Sequence, residues 1–282
     1  MPKENFTRYS MRENMLKKIL IRVDYDGVTD INKWIDIFKA TPDLNSHFND
    51  YGQSYLNKAS FDLSKMEEVA RQRSLPISAF DSVPIHHFRE SHFDGHQDRV
   101  NMEIAGLFMT FQVDCVHYTN IDDYFDYLNR YLASFMESDR YIKIKRIGIR
   151  KIGGDSFAST EDMNNTFEAG FFEGHTIDNA DTTIIEREYH DRFMKTMTEG
   201  DNANRSVKVN YSTHCRRIES ERPFQAVLDI DTYIDEYIIR KDNLAFPAAL
   251  SSSLTLINDY MFELYKMSVT LSYLNEHGEP QQ

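Results

Sequence analysis

The residues best suited to chemistry lie in the stretch KRIGIRKIGG, residues 145–154. If this stretch is a β-strand, Arg146, Gly148 and Arg150 share one face, and the other face is largely apolar. Two guanidinium groups flanking a glycine suit two-pronged contacts with carboxylates or with an anionic ligand. The stretch therefore predicts either a ligand site or an internal network of ion pairs.

A pair of acidic residues in the stretch VLDIDTY, residues 227–233, supplies the matching charge. Asp229 and Asp231 share one face of a predicted strand, and the apolar residues beside them face the other way. Because opposite charges on half-buried strands usually pair, we favour a charge network of Arg146 and Arg150 with these aspartates. A ligand-binding site and a Mg²⁺ or Mn²⁺ site are the alternatives.

The histidine-rich stretch IHHFRESHFDGHQD, residues 85–98, is the second candidate for chemistry. His86, His92 and His96, with a nearby aspartate, are ligand types that transition metals accept. The favoured interpretation is a solvated hairpin loop, because Gly95 interrupts the helical spacing of the last two histidines. Accordingly, we predict no metal site here, and a metal site formed by His86, His92 and His96 is the alternative.

Composition limits the classes of function. The 282 residues include 41% hydrophobic residues, which indicates a folded globular protein, and carry a net charge of −13. That charge disfavours nucleic acid or anionic membrane as a partner over most of the surface. The sequence lacks the glycine-rich phosphate loops, the dinucleotide fingerprint and the nucleophile elbow of common enzyme classes, so we predict no cofactor.

The first residues and the longest uncharged run indicate the cellular compartment of the protein. The first 18 residues are polar and charged and lack the apolar core of a signal peptide. The longest uncharged run, Asn243–Asn258, contains a proline and three serines and is too short to span a membrane. We therefore predict a cytoplasmic protein.

The order of predicted elements indicates an α+β fold of two lobes, each with a mainly antiparallel sheet covered by helices. The first lobe spans residues 1–155, with helices predicted at 31–40, after the capping residue Asp30, and at 122–138. The second spans residues 156–282, with strands at 182–197, 205–218 and 223–234. A long C-terminal helix is predicted from Asn243 to a stop at Gly278. We expect the arginines and aspartates to meet where the lobes join.

Two motifs in this order resemble a sporadically distributed prokaryotic family of uncharacterised proteins. RIGIRKI, residues 146–152, is similar to an RIGLRY-like strand of that family, and VLDIDTY to its LDID-like strand before a C-terminal helix. The chain departs from the pattern at Lys151, where the family usually has an aromatic residue. The resemblance implies a two-lobed α+β fold without an established activity, and a mobile-element, defence or toxin–antitoxin setting.

These observations lead to two hypotheses of function. The first is a cytoplasmic, non-enzymatic binding or regulatory protein that has a protein partner, because no complete catalytic set of residues is evident. The second is a metal-dependent hydrolase of phosphoesters that uses Asp229, Asp231 and the histidine-rich stretch. The sequence does not predict an oligomeric state or a specific ligand.

Overall fold

A computed structural model describes most of the chain: residues 2–61, 77–92, 98–116, 121–168, 186–197, 206–217, 224–235, 239–240 and 246–280. The described strands are β1 Leu16–Asp26, β2 Asp50–Phe61, β3 Ile77–His92, β4 Arg99–Ala105, β5 Phe108–Asp114, β6 Lys143–Phe157, β7 Glu186–Thr196, β8 Ser206–Arg217, β9 Phe224–Ile234 and β10 Ile239–Arg240. The described helices are α1 Ile31–Ala40, α2 Pro42–Asn45, α3 Asp122–Ser138, α4 Thr160–Thr166, α5 Phe246–Ser268 and α6 Leu271–His277, after a 3₁₀ turn at Lys3–Asn5.

All of these strands belong to one antiparallel sheet. Its order is β2-β3-β4-β5-β1-β6-β9-β8-β7, and β10 also pairs with β6. The prediction of two lobes, each with its own sheet, is therefore wrong. The reason is that β6 has two edges to satisfy: one pairs with β1 from the first half of the chain, and the other pairs with β9 from the second half. The boundary predicted after residue 155 falls inside β6, and the division into domains stays a prediction.

The two faces of this sheet differ in character. Helices α1, α3 and α5 pack on one face, which we call the covered face, and form a single apolar core with it. Side chains at alternate positions of β1 and β6, such as Ile21 and Ile149, are fully buried there. The opposite face, which we call the open face, carries charged side chains at the intervening positions, including Arg22 and Arg150.

Two helices begin and end as predicted. α1 begins after Asp30, whose side chain accepts a hydrogen bond from the Asn32 amide, and α3 spans the predicted residues 122–138. α5 packs against β6, β9, β10 and α3. Among the described helices, none combines the length and the apolar composition that crossing a membrane requires.

The long C-terminal helix predicted up to Gly278 is wrong, because two helices occupy that part of the chain. α5 ends at Ser268, and extended backbone at Thr270 starts α6, with the Thr270 hydroxyl accepting from the Tyr273 amide at 3.1 Å. Lys3 stabilises the break from outside, since its Nζ donates to the main-chain oxygens of Lys266 and Val269. These carbonyls lie at the end of α5, where no further helical turn can satisfy them.

Candidate functional site

The four residues predicted to form a charge network lie on the open face of two adjacent strands. The register of β6 and β9 places Arg150 opposite Asp231, with Asp229 two residues further along β9. Arg146 lies on the same face, four residues before Arg150, which is two repeats of the β-strand. The structure therefore brings all four together within one sheet, not at a junction between lobes.

Arg150 and Asp229 make the tightest contact of this set. Arg150 Nε lies 2.9 and 3.1 Å from the two carboxylate oxygens of Asp229, and Nη2 lies 2.5 Å from Oδ2. This hydrogen bonding raises the pKa of the Arg150 guanidinium, and burial opposes it. The Arg150 side chain is 50% exposed and that of Asp229 is 18% exposed, so the pair reaches solvent on one side.

Arg146 bridges two further aspartates. Its Nη1 lies 3.5 Å from Asp24 Oδ2 on β1, and its Nη2 lies 3.9 Å from Asp231 Oδ2 on β9. The same Asp231 oxygen accepts a hydrogen bond from the Asn210 amide at 2.9 Å. The charge network thus runs across four neighbouring strands, from β1 through β6 and β9 to β8.

Gly148 makes room for an aromatic ring within this network. It lies opposite Tyr233, and a Cβ atom at Gly148 would be 3.0 Å from the Tyr233 Cβ. The guanidinium of Arg146 lies 4.1 Å from the centre of the Tyr233 ring, and Arg192 Nη2 donates to its hydroxyl at 3.2 Å. The glycine between the arginines therefore makes way for Tyr233, which links Arg146 to the edge strand β7.

A polar groove of about 390 Å³ lies beside the network. The groove falls in the size range of small-molecule and side-chain binding sites, and the residues that line it are of polar or charged types. Its walls come from β6, β9, β8 and the edge strand β7, so the register of four strands forms it. The lining residues are Arg150, His190, Asp191, Arg192, Asn210, Tyr211, Ser212, Asp229 and Asp231.

A second polar group lies on the covered face, at the position next to Arg150. Lys151 lines a cavity of about 80 Å³ under α5, and its Nζ donates to Asn258 Oδ1 at 2.6 Å. Burial, and to a smaller extent the nearby positive charge of Arg8, lowers the pKa of Lys151 to about 8. Sequence reasoning missed this site, although a lysine on the largely apolar face of β6 was a signal.

Arg8 belongs to an ion-pair cluster beside that cavity. Its Nη1 lies 2.7 Å from Asp122 Oδ1 at the start of α3, and its Nε lies 2.8 Å from Asp259 Oδ1 on α5. The Tyr9 hydroxyl donates to the other oxygen of Asp122 at 2.8 Å. The cluster joins the N-terminal segment to two helices, which is a structural role.

The histidine-rich stretch is only partly described. His86 is buried on the covered face, where its Nδ1 lies 2.8 Å from the Tyr51 hydroxyl, and burial lowers its pKa. The side chain of His92 and the whole of His96 lie outside the described residues. Asp98 is buried, and its carboxylate accepts from the Val116 amide and from the Tyr124 hydroxyl. Within the described ranges, no group of three or more His, Cys, Asp or Glu residues is placed to hold a metal ion.

The position and the partners of His87 were not predicted from the sequence. It follows His86 in the chain but lies on the open face, opposite Glu103 of β4 and close to Ser54 of β2. Alternation along β3 was a signal that the two adjacent histidines face opposite ways. The partners of His87 depend on the pairing of three strands, which the sequence does not specify.

Comparison of the chain with protein-family models, with curated proteins and with solved structures gives no match. The relation to the family with RIGLRY-like and LDID-like strands stays a prediction based on two motifs. On the open face, the charge network and its neighbours form a groove of polar residues beside the exposed edge strand β7.

Proposed function

We propose that the protein is a binding protein that recognises an extended segment of a partner protein at the edge strand β7. The observation that carries this proposal is the exposure of β7, an 11-residue strand at one end of the sheet order. Residues 188–196 are exposed apart from the half-buried Phe193, and three of them line the polar groove.

An edge strand offers backbone groups for a further strand to pair with. Within the described part of the chain, β7 pairs with β8 alone, so its other side presents unpaired N–H and C=O groups. Proteins that bind extended peptides use such edges: the main-chain hydrogen bonds give affinity, and adjacent pockets read alternate side chains. Tyr189 and Met194, which are 46% and 58% exposed, add apolar contact area.

The groove sets the chemistry of the side chain that it would accept. Asp229 is neutralised by Arg150, and Asp231 accepts from Asn210 and lies near Arg146. Because burying an unpaired charge is costly, we expect a polar, uncharged side chain such as an amide or a hydroxyl to enter the groove. Ser212 and Asn210 lie in its wall and can exchange hydrogen bonds with such a group.

A displayed library of random peptides tests this proposal. Peptides selected on the wild-type protein should protect the amides of residues 188–196 from hydrogen exchange and lose binding at least about tenfold in Arg192→Glu. Tyr55→Glu on β2, the opposite edge strand, is the matched control and should leave binding unchanged. Failure to select any peptide, or protection at β2 in place of β7, would contradict the proposal.

The metal-dependent hydrolase gains no support from the described residues. His86 lies on the covered face of β3, and Asp229 and Asp231 lie on the open face of β9. Four strands separate β3 from β9 in the sheet order, which places the groups about 24 Å apart at the usual strand spacing. The cytoplasmic location and the mobile-element, defence or toxin–antitoxin setting remain part of the proposal for a binding protein.

A further inference from the structure

His87 lies between a serine hydroxyl and a glutamate carboxylate on the open face. Ser54 Oγ is 2.6 Å from His87 Nε2, and His87 Nδ1 is 3.1 Å from Glu103 Oε1. The three residues belong to the neighbouring strands β2, β3 and β4, and the register places His87 opposite Glu103 and opposite Gly52. Serine, imidazole and carboxylate thus form one chain of hydrogen bonds, through both ring nitrogens of the histidine.

We propose that Ser54, His87 and Glu103 form a hydrolytic site for short-chain carboxylic esters. A carboxylate at Nδ1 favours the tautomer with its proton on that nitrogen, which leaves Nε2 to accept the proton of the serine hydroxyl. The His87 side chain is 13% exposed, whereas Ser54 is exposed and open to a substrate. The base is therefore held in place while the nucleophile remains accessible.

The neighbours of Ser54 add a cation and an apolar surface on the same face of β2. Arg89 extends over Gly52: a Cβ atom there would lie 4.0 Å from both of its Nη atoms. Gly52 is two residues, or about 7 Å, from Ser54 on the same strand face, so the guanidinium, which also lies 3.9 Å from Asp50 Oδ2, places a cation on the same face as the serine. On the other side of Ser54, Leu56 is 42% exposed and offers an apolar surface for a short acyl chain.

The reaction follows the chemistry of serine acyl transfer. Ser54 Oγ attacks the ester carbonyl carbon while its proton passes to His87 Nε2, and the ester C–O bond then breaks. The leaving alcohol takes that proton, and the acyl group remains on Ser54. A water molecule gives a proton to His87 and attacks the acyl carbon, which releases the carboxylic acid and returns the proton to Ser54. Glu103 acts as a positioning residue, because it holds the imidazole without touching the substrate.

This site is separate from the proposed binding edge. β2, β3 and β4 lie at one end of the sheet order and β7 lies at the other, so each proposal can fail without the other. The hydrolytic site also requires no metal ion, which distinguishes it from a metal-dependent hydrolase.

A fluorophosphonate probe and p-nitrophenyl acetate test the proposal on the full-length protein. We expect the probe to label Ser54 and the wild-type protein to hydrolyse the ester at least about 100-fold faster than Ser54→Ala or His87→Gln. Ser46→Ala, at an exposed serine after α2, is the matched control and should retain the wild-type rate. Circular dichroism should show that each variant is folded, because Ser54 and His87 lie on the open face, outside the apolar core.

Two results would overturn the site. One is labelling of a serine other than Ser54, and the other is an ester hydrolysis rate equal in wild type and Ser54→Ala. Glu103→Gln should lower the rate and shift its pH profile, because the amide does not stabilise a protonated His87 as the carboxylate does. An unchanged pH profile would overturn the positioning role of Glu103.

Discussion

Arg150 and Lys151 are neighbours in the sequence, but they lie on opposite faces of β6 and have opposite surroundings. On the open face, hydrogen bonds to Asp229 raise the pKa of Arg150 and keep its charge paired beside solvent. On the covered face, burial lowers the pKa of Lys151 to about 8, and an amide oxygen of Asn258 is its partner. The surroundings of each face thus decide how readily a cation loses its proton.

The covered face stabilises the fold, whereas the open face offers residues for recognition. The covered face contains the apolar core, where truncating a side chain leaves a cavity. The open face carries partly exposed ion pairs, which contribute little to stability because water and salt screen them. Residues of the groove and of the Ser54 site can therefore be changed to test function without unfolding the protein.

The largest effect is expected in the core of the covered face. Leu254 on α5 is fully buried, and Leu254→Ala should lower the free energy of unfolding by about 2–5 kcal/mol. Met267→Ala, at a 71% exposed position of the same helix, is the control and should change it by less than about 0.5 kcal/mol. Denaturant titration measures both, and equal midpoints would show that α5 does not cover the sheet.

A smaller effect, dependent on pH, is expected at Lys151. Its pKa is about 8 when folded, against 10.5 for an ordinary lysine. Below pH 8 both states hold the proton, and the buried charge destabilises the fold. Between pH 8 and 10.5 the unfolded chain holds the proton that the folded one has lost, so stability rises with pH by roughly 1 kcal/mol per unit.

Urea titrations between pH 7 and pH 10 measure this slope. Lys151→Met should remove the contribution from the pH dependence of unfolding, whereas Lys17→Met, at an exposed position of β1, should retain it. Groups that titrate in all three proteins contribute equally to each slope of stability against pH, so they do not affect the difference between the slopes. A slope that is the same in wild type and in Lys151→Met would show that the amine is not held in a desolvated site.

At Gly148 we expect one added methyl group to lower the stability of the fold, because this part of the open face is crowded. Gly148→Ala would place its Cβ 3.0 Å from the Tyr233 Cβ, so the ring that links Arg146 to Arg192 must move. Overpacking of this kind costs about 1–3 kcal/mol. Gly106→Ala is the control, because no atom lies within 4 Å of its added Cβ. A thermal melt that ranks the two variants equally would contradict this view.

The smallest effect is expected for the Arg150–Asp229 pair. A double-mutant cycle of Arg150→Ala and Asp229→Ala should give a coupling energy below about 1 kcal/mol, because Arg150 is half exposed. The coupling should fall further in 0.5 M salt, roughly as expected for a screened pair. A larger, salt-insensitive coupling would show that the pair is buried in solution and would remove the contrast between the faces.

Much of the local structure could be predicted from the sequence. Alternation identified β1 and β6, and the face shared by Arg146 and Arg150 follows from the pleat alone. The proximity of Arg150 and Asp229 was predictable because each interrupts an apolar strand with a charge that needs a partner. These features depend on neighbours along the chain or on simple charge pairing.

Long-range pairing accounts for what could not be predicted. Nothing in the sequence of β6 shows that one of its edges pairs with β1 and the other with β9, so a continuous sheet was interpreted as two lobes. The contact of His87 with Ser54 depends on the register of β2 on β3, which the pattern of each strand leaves open. At the break before Thr270, Lys3 donates to carbonyls at the end of α5 although more than 260 residues separate them in the sequence.

The position of β1 in the middle of the sheet has a consequence for synthesis on the ribosome. β1 precedes the other described strands in the sequence, yet its two partners, β5 and β6, are encoded much later. At translation rates of 5–20 residues per second, about 130 further residues and roughly 6–25 s separate its emergence from the completion of β6. Until β5 is complete, about 90 residues after β1, neither partner strand of β1 exists, and we expect the nascent chain, with Ile19, Ile21 and Val23 not yet buried, to be a substrate for holding chaperones.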